Sequence, residues 1–210
     1  ERSAEWREAL RKTMKNKERT AQLRVHMPEA PAQERARSYV EVNSGLTAPI
    51  AMKEASRCID CPDPTCISGC PVNINIPKFV KNIERGEFLE AARTLKETNA
   101  LPAVCGRVCP QEKQCEASCF YTLKLKAEPV AIGYLERFAA DYEQNSGAIS
   151  IPEVAPANGM KIAVVGSGPA GLAFAGDMAK LGYEVHILEA LHEIGGVLKY
   201  GIPEFRLPNK

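Results

Sequence analysis

No apolar stretch in this 210-residue chain approaches the roughly 20 residues that a membrane helix needs, so we expect a soluble protein with no membrane partner. Neither sign of charge is in excess. The net charge is +1, which gives no global reason to expect nucleic acid. No apolar segment opens this sequence, so a secreted disulfide framework is disfavoured and a reducing cytoplasm expected. Strand signals are nearly absent before residue 150, so that part reads as helices and loops. What basic excess exists lies early, with Arg7, Arg11, Lys12, Lys15, Lys17, Arg19 and Arg24 inside the first 25 residues. Such a run reads as a solvated helix face rather than a polyanion site.

Against these absences stand eight cysteines in two tight groups. Cys58, Cys61, Cys66 and Cys70 form C-x2-C-x4-C-x3-C closed by Pro71, and Cys105, Cys109, Cys115 and Cys119 follow at x3, x5 and x3. A C-x2-C pair puts two sulfurs on one turn, converging on one centre. A last Cys followed by Pro resembles bacterial ferredoxin segments, in which that Cys serves the neighbouring cluster. Iron–sulfur is the leading reading. Two structural zinc sites would also use eight cysteines, and disulfides remain a third alternative.

Residues 3–20 read as a polar helix with Trp6, Leu10 and Met14 on a narrow stripe, and a second helix is expected over 32–42. Pro77 suits the first turn of a helix burying Phe79, Val80 and Ile83 and stopped by Gly86. Phe88, Leu89, Ala92 and Leu95 mark the next, ending near Asn99. So helical and loop-rich a piece reads as a small core padded by metal centres. Gly, Ser, Pro, Ala and Asn dominate 147–158, which reads as a linker. The expected organisation is a mainly α domain over 1–146, that linker, and the start of an α/β domain over 159–210.

In the last part, Lys161–Val165 reads as a strand, 166–171 as a glycine turn, 170–181 as a helix and Glu184–Leu188 as a second strand. That is the βαβ start of a doubly wound, Rossmann-like fold. Gly166, Gly168 and Gly171 form G-x-G-x-x-G around Pro169 and Ala170. They permit a tight turn, close approach of a pyrophosphate, and close helix–strand packing. Glu189 ends the second strand 18 residues after Gly171, where a carboxylate can accept from ribose hydroxyls. Gly195 and Gly196 suit further contact with a long dinucleotide, which favours FAD. With only two strands by Lys210, the flavin domain is expected to be truncated.

The blocks RCIDCPDPTCISGCPV (57–72), LPAVCGRVCPQEKQCEASC (101–119), VAIGYLERF (130–138), VVGSGPAGLAFA (164–175) and GGVLKYGIPEFRLP (195–208) carry a resemblance. From about Met27 onward the chain resembles the small (β) subunit of NADPH-dependent glutamate synthase. It is similar too to the large subunit of NADH-dependent reduced ferredoxin:NADP oxidoreductase and to the N-terminal part of dihydropyrimidine dehydrogenase. The resemblance implies a helical domain with two 4Fe–4S clusters, then FAD and NADPH domains, the latter absent here. It also implies the ligands. Cys58, Cys61, Cys66 and Cys119 would hold one cluster, and Cys70, Cys109, Cys115 and Glu136 the other, with Cys105 unbound. Glu136 shares a helix face with Ile132, Leu135 and Ala139, where an unpaired carboxylate is costly. Its alternative is a partly exposed acid paired with Arg107 or Arg137. Dihydropyrimidine dehydrogenases carry Gln at this position, so Glu136 points to the other two relatives.

The implied function is an NADPH-dependent oxidoreductase that passes electrons between NADPH, FAD and the clusters, with this piece alone inactive. In a glutamate synthase a second subunit would use them to form glutamate from glutamine and 2-oxoglutarate. A ferredoxin-linked complex, with ferredoxin as partner, uses the same parts. A reading of another class is a docking module whose basic N-terminal helix binds a partner subunit.

Overall fold

The computed structural model describes residues 2–149 and 151–209. Glu1, Ser150 of the expected linker and Lys210 lie outside them. In chain order the elements are α1 (Glu5–Thr13), α2 (Asn16–Ala21), α3 (Ala32–Arg35), α4 (Ala48–Ser56), α5 (Thr65–Ser68), α6 (Ile76–Glu84), α7 (Phe88–Lys96), α8 (Pro102–Val108), α9 (Ile132–Ser146), β1 (Lys161–Val165), α10 (Pro169–Lys180), β2 (Glu184–Leu188) and α11 (Val197–Tyr200). They form two compact units, Glu1–Glu29 with Asn43–Ile149, and Ala30–Val42 with Ser150–Lys210. The first is mainly α and the second is the start of a Rossmann-like fold. Among the described residues no helix is long and apolar enough to cross a membrane.

In the first unit α4, α6, α7 and α9 share one continuous core. Ala51, Ala55, Phe79, Val80, Ile83, Leu95 and Leu135 are fully buried within it. Its size corrects the expectation of a small core padded by metal. Each buried Phe, Val, Ile or Leu contributes about 1.5–3 kcal/mol, so these helices have their own reason to pack. α6 starts as its sequence suggests. Pro77 occupies the first turn, where a missing N–H costs nothing, and the Asn75 side chain accepts from Lys78 N at 3.3 Å. Phe88 adds an edge-on contact to Phe138 on α9, centroids 5.0 Å apart.

The N-terminal segment departs from expectation in two ways. The helix expected over 3–20 is broken at Met14, which is extended, and restarts after Lys15, whose backbone N donates to Glu18 Oε2 at 2.7 Å. Its arginines are not a solvated face. Arg7 and Arg11 both pair with Asp60, Arg19 pairs with Glu84 at 2.8 Å, and Arg24 pairs with Glu116 at 2.8 Å. Arg7, Arg19, Asp60 and Glu116 are buried. Trp6 lies beneath the Arg85 guanidinium, 4.0 Å from ring centroid to Cζ.

In the second unit β1 and β2 are parallel, in register from Lys161↔Glu184 to Val165↔Leu188, with α10 as their crossover. Ala155 N and Asn158 N donate to Lys180 O and Gly182 O, which ties the end of the expected linker to α10. The helix expected over 32–42 spans only Ala32–Arg35. Beyond it Val42 N donates to Phe205 O, a backbone pairing that helix geometry would forbid. Val165, 86 % exposed, and Leu188 leave apolar surface on the strands uncovered within this chain.

α8 crosses α9 closely at Gly106, where a Cβ would lie 2.5 Å from Arg137 N. Gly106→Ala therefore forces the two backbones apart. We expect it to destabilise the first unit by about 1–3 kcal/mol, seen as a lower denaturant midpoint at unchanged slope. An unchanged midpoint contradicts this packing.

Candidate metal centres and dinucleotide site

All eight cysteines are free thiols, which removes the disulfide reading. They line two separate hollows in the first unit. Cys58, Cys61, Cys66 and Cys119 share one hollow with Ile59, Ile76, Val80, Tyr121, Val130 and Ile132. Cys70, Cys105, Cys109, Cys115 and Glu136 share the other with Ile74, Asn99, Gln111 and Gln114. Cys70 thus lines the hollow of the second sequence group, and Cys119 that of the first. Among the described residues no three Cys, His, Asp or Glu side chains close on a point as they would around one metal ion. Ligands of a zinc ion sit about 2.0–2.3 Å from it. Thiols spread around a hollow suit a larger inorganic body instead.

The local chain explains how the loops reach the hollows. The end of α4 carries Cys58, whose N–H donates to Ala55 O, and Asp60 takes a positive φ of 53° that turns the chain back to present Cys61. Arg7 and Arg11 hold the Asp60 carboxylate, and Arg2 Nε donates to Asp60 O at 2.9 Å. Tyr121 Oη lies 2.7 Å from Arg57 O and packs beneath the Arg57 guanidinium. Glu54, buried on α4, accepts from Val25 N, Ala131 N and Arg57 and so binds three segments together.

Burial dominates the chemistry of Cys58, Cys61, Cys66 and Cys115. It raises Cys58 and Cys66 above the ordinary thiol range, lifts Cys61 to about 11 and, with Glu116 and Glu136 nearby, lifts Cys115 to about 12. Lys81 is the largest opposing influence on Cys58. Cys109 donates to Cys105, which raises Cys109 and lowers Cys105. Glu136 is 5 % exposed, and burial, followed by the charge of Cys105, pushes its carboxyl up to about 8. Its partner is Asn99, whose Nδ2 donates to Oε1 at 2.8 Å, while Arg107 and Arg137 reach Asp141. Glu136 is therefore not a partly exposed acid. Asn99 is oriented in turn, since its Oδ1 accepts from Leu101 N at 3.0 Å.

These hollows fit a 4Fe–4S cluster on their donors alone. Thiolates crowded around an apolar hollow, in the second case beside a buried carboxylate, are stable together around a strongly positive core. An apolar lining keeps water away from it.

In the second unit Gly166 N donates to Leu188 O at 2.8 Å, and Gly168 caps the N-terminus of α10, with Pro169 and Ala170 in its first turn. A Cβ on Gly171 would lie 2.2 Å from Gly166 O, so only glycine lets the helix close on the turn. The first turn of α10 presents free N–H groups and a positive dipole end, as an anionic pyrophosphate requires. Glu189 is held by Ser167 N at 2.9 Å, by Ser167 Oγ and by Leu191 N at 2.9 Å. Gly195 N donates to both Ser167 O and Ser167 Oγ, so the second glycine pair is docked on the first turn. Sequence reasoning missed Ser167, fully buried at this junction, as it missed Asn99 and Asp60.

A hollow-lined iron–sulfur domain leading into a dinucleotide fold defines the class. Residues 35–148 match the family described as dihydropyrimidine dehydrogenase domain II, 4Fe-4S cluster, over more than half of the chain, and the chain belongs to that family. Residues 164–205 match the NAD(P)-binding Rossmann-like domain. The chain is 43 % identical over 168 residues to the NAD-dependent dihydropyrimidine dehydrogenase subunit PreT homolog of Salmonella typhi, covering 80 % of this chain and 40 % of that protein. It is 39 % identical over 184 residues to the glutamate synthase (NADPH) small chain of Escherichia coli, covering 88 % and 39 %. To the small chain of Azospirillum brasilense it is 36 % identical over 177 residues, covering 84 % and 36 %. The chain thus spans about two fifths of the length of these curated relatives.

Glu189 provides a test of the dinucleotide site. The Ser167 hydroxyl, then the Leu191 and Ser167 amides, hold its carboxyl down to about 2. It is therefore ionised throughout the physiological range. In Ser167→Ala its titration, followed by carboxyl carbon NMR, should move up towards the ordinary glutamate value. A midpoint still near the wild-type one would show that the hydroxyl is not the dominant partner.

Proposed function

We propose that the chain is the iron–sulfur part of an NADPH-linked flavoprotein oxidoreductase of the glutamate synthase small-chain type. In it Cys58, Cys61, Cys66 and Cys119 hold one 4Fe–4S cluster, and Cys70, Cys109, Cys115 and Glu136 hold the other. Cys105 stands beside the second without binding iron. The observation that carries this reading is the partition of the thiols between two hollows, with the buried Glu136 in the wall of the second. Gly166, Gly168, Pro169, Ala170 and Gly171 would cradle the FAD pyrophosphate, Glu189 the ribose, and Gly195 and Gly196 the far side. The docked second glycine pair favours FAD over a shorter contact with a nicotinamide dinucleotide.

When bound, such groups supply hydride acceptance at the flavin and one-electron transfer at clusters whose potentials follow ligands, charge and hydrogen bonds. The chain's own residues prepare the sites. Asn99 Nδ2 holds Glu136 Oε1 and so leaves Oε2 available to iron, once the carboxyl has released its proton. Ile59, Ile76, Val80, Val130 and Ile132 exclude water from the first hollow. A second subunit would receive the electrons and form glutamate from glutamine and 2-oxoglutarate. A dihydropyrimidine dehydrogenase subunit is the second reading, favoured by the 43 % identity to the PreT homolog. The glutaminase-type or pyrimidine-reducing nature of the subunit that co-purifies with the holoprotein separates the two.

Anaerobically prepared holoprotein should contain about eight irons and eight sulfides, as two such clusters require. Stoichiometric zinc in freshly isolated protein contradicts the assignment.

Cys105→Ser should leave both clusters assembled. Glu136→Ala should perturb one cluster alone, as a three-iron form or a shifted potential seen by electron paramagnetic resonance. Cluster loss in Cys105→Ser, with Glu136→Ala unchanged, reverses the roles of these two residues.

A further inference from the structure

One fully buried cation beside the first hollow has no part in the roles above. Lys81 lies on α6 among Phe79, Val80 and Ile83 and is 0 % exposed. Its Nζ donates to Cys58 O at 2.5 Å and pairs with Glu84 Oε2 at 2.5 Å. The other oxygen of Glu84 pairs with Arg19 Nη1 at 2.8 Å, and the same nitrogen donates to Ser56 O. One carboxylate is therefore shared by two buried cations, and the group carries a net positive charge. Asp60, two residues after Cys58, repeats the pattern with Arg7 and Arg11. Neither hollow has a Lys or Arg in its lining, so Lys81 acts on the first from behind, through Cys58 O, whereas the wall of the second carries Glu136.

A lysine desolvated at this depth is costly unless its charge is used. An ion pair with Glu84 alone does not require it, because Arg19 already neutralises that carboxylate. What Lys81 adds is a positive charge hydrogen-bonded to the backbone of a cysteine in the hollow. Charge interactions are strong where water is excluded, and any electron added to a body in that hollow is stabilised by a fixed cation behind it.

We propose that Lys81 is the residue that makes the cluster held by Cys58, Cys61, Cys66 and Cys119 the easier of the two to reduce. It acts through its charge, as a positioning and tuning residue rather than a ligand. The proposal rests on the ligand reading given under Proposed function. It would make this hollow the place where an electron dwells and the Glu136 hollow the more strongly reducing site.

The test is a redox titration of anaerobic holoprotein with dithionite, followed by electron paramagnetic resonance, one electron passing from dithionite to each cluster. Glu136→Gln, which perturbs the second cluster, identifies which signal belongs to which hollow. Lys81→Gln keeps a donor for Cys58 O but removes the charge. It should lower the reduced-to-oxidised ratio of the first cluster about tenfold at fixed poise, a shift of about 59 mV for one electron, and leave the second unmoved. Lys81→Arg, which keeps the charge, should stay near wild type. Glu84→Gln, which leaves both cations uncompensated, should shift the first cluster the opposite way. Should Lys81→Gln fail to assemble its clusters, the sign of the Glu84→Gln shift decides alone. Unmoved potentials in the charge variants, with both clusters present, overturn the proposal. An absence of two clusters from the wild-type protein, by iron and sulfide content, overturns the ligand reading beneath it instead.

Discussion

Burying a thiolate in an apolar shell is unfavourable unless a cation shares the space, and this chain buries thiols in two places at once. Burial raises Cys58, Cys66 and Cys115 above their ordinary range, and the carboxyl of Glu136 is raised for the same reason. An empty hollow would therefore keep Cys58, Cys66 and Cys115 protonated. A positive inorganic core reverses that preference, and the apolar lining that made ionisation costly then shields the core from water. The surrounding helices do not depend on this exchange, because α4, α6, α7 and α9 bury a continuous apolar core of their own. The loops carrying cysteines are what depend on it.

Those loops are held from behind by buried charge. Asp60 turns the Cys58–Cys61 segment and is grasped by Arg7 and Arg11 of α1, while Glu84 joins Arg19 of α2 to Lys81 of α6. Glu116, in the second cysteine loop, is held by Arg24. The basic N-terminal run thus fastens α1 to the first cysteine segment, α2 to α6, and the chain just beyond α2 to the second cysteine segment. Buried pairs of this kind add little net stability when complete, but removing one partner strands the other and is strongly destabilising. They fix the position of a loop more than they stabilise the fold. Arginines so engaged leave little basic surface on α1 for the docking role that charge alone suggested.

Legibility from sequence followed the range of the interactions involved. β1 and β2 were readable to the residue, since short apolar runs bounded by glycine and polar residues are local signals. Pro77 and the apolar stripe of α6 were equally readable. The break at Met14 was not, because it depends on a carboxylate reaching back to Lys15 N. The shortening of α3 was hidden for a similar reason, a backbone pairing between Val42 and Phe205. Charged residues misled most. Lys81 and Glu84 are three apart, and nothing local reveals that Lys81 is fully buried and the Glu84 side chain nearly so. The grouping of Cys119 with Cys58 and of Cys70 with Cys109 is absent from spacing, apart from the Pro after Cys70, and came from the family resemblance. Asn99 carries no motif and Ser167 holds an unspecified place inside the glycine motif, yet each orients a carboxylate far along the chain.

The account stands most directly on which side chains touch iron. Crystals of the anaerobic holoprotein, measured at the iron absorption edge, would locate every iron by anomalous scattering. We predict two separate four-iron bodies, one among Cys58, Cys61, Cys66 and Cys119, the other among Cys70, Cys109, Cys115 and the carboxylate of Glu136, with Cys105 Sγ outside bonding distance. Iron bonded to Cys105 with Glu136 turned away, or single ions at the zinc edge, would contradict it.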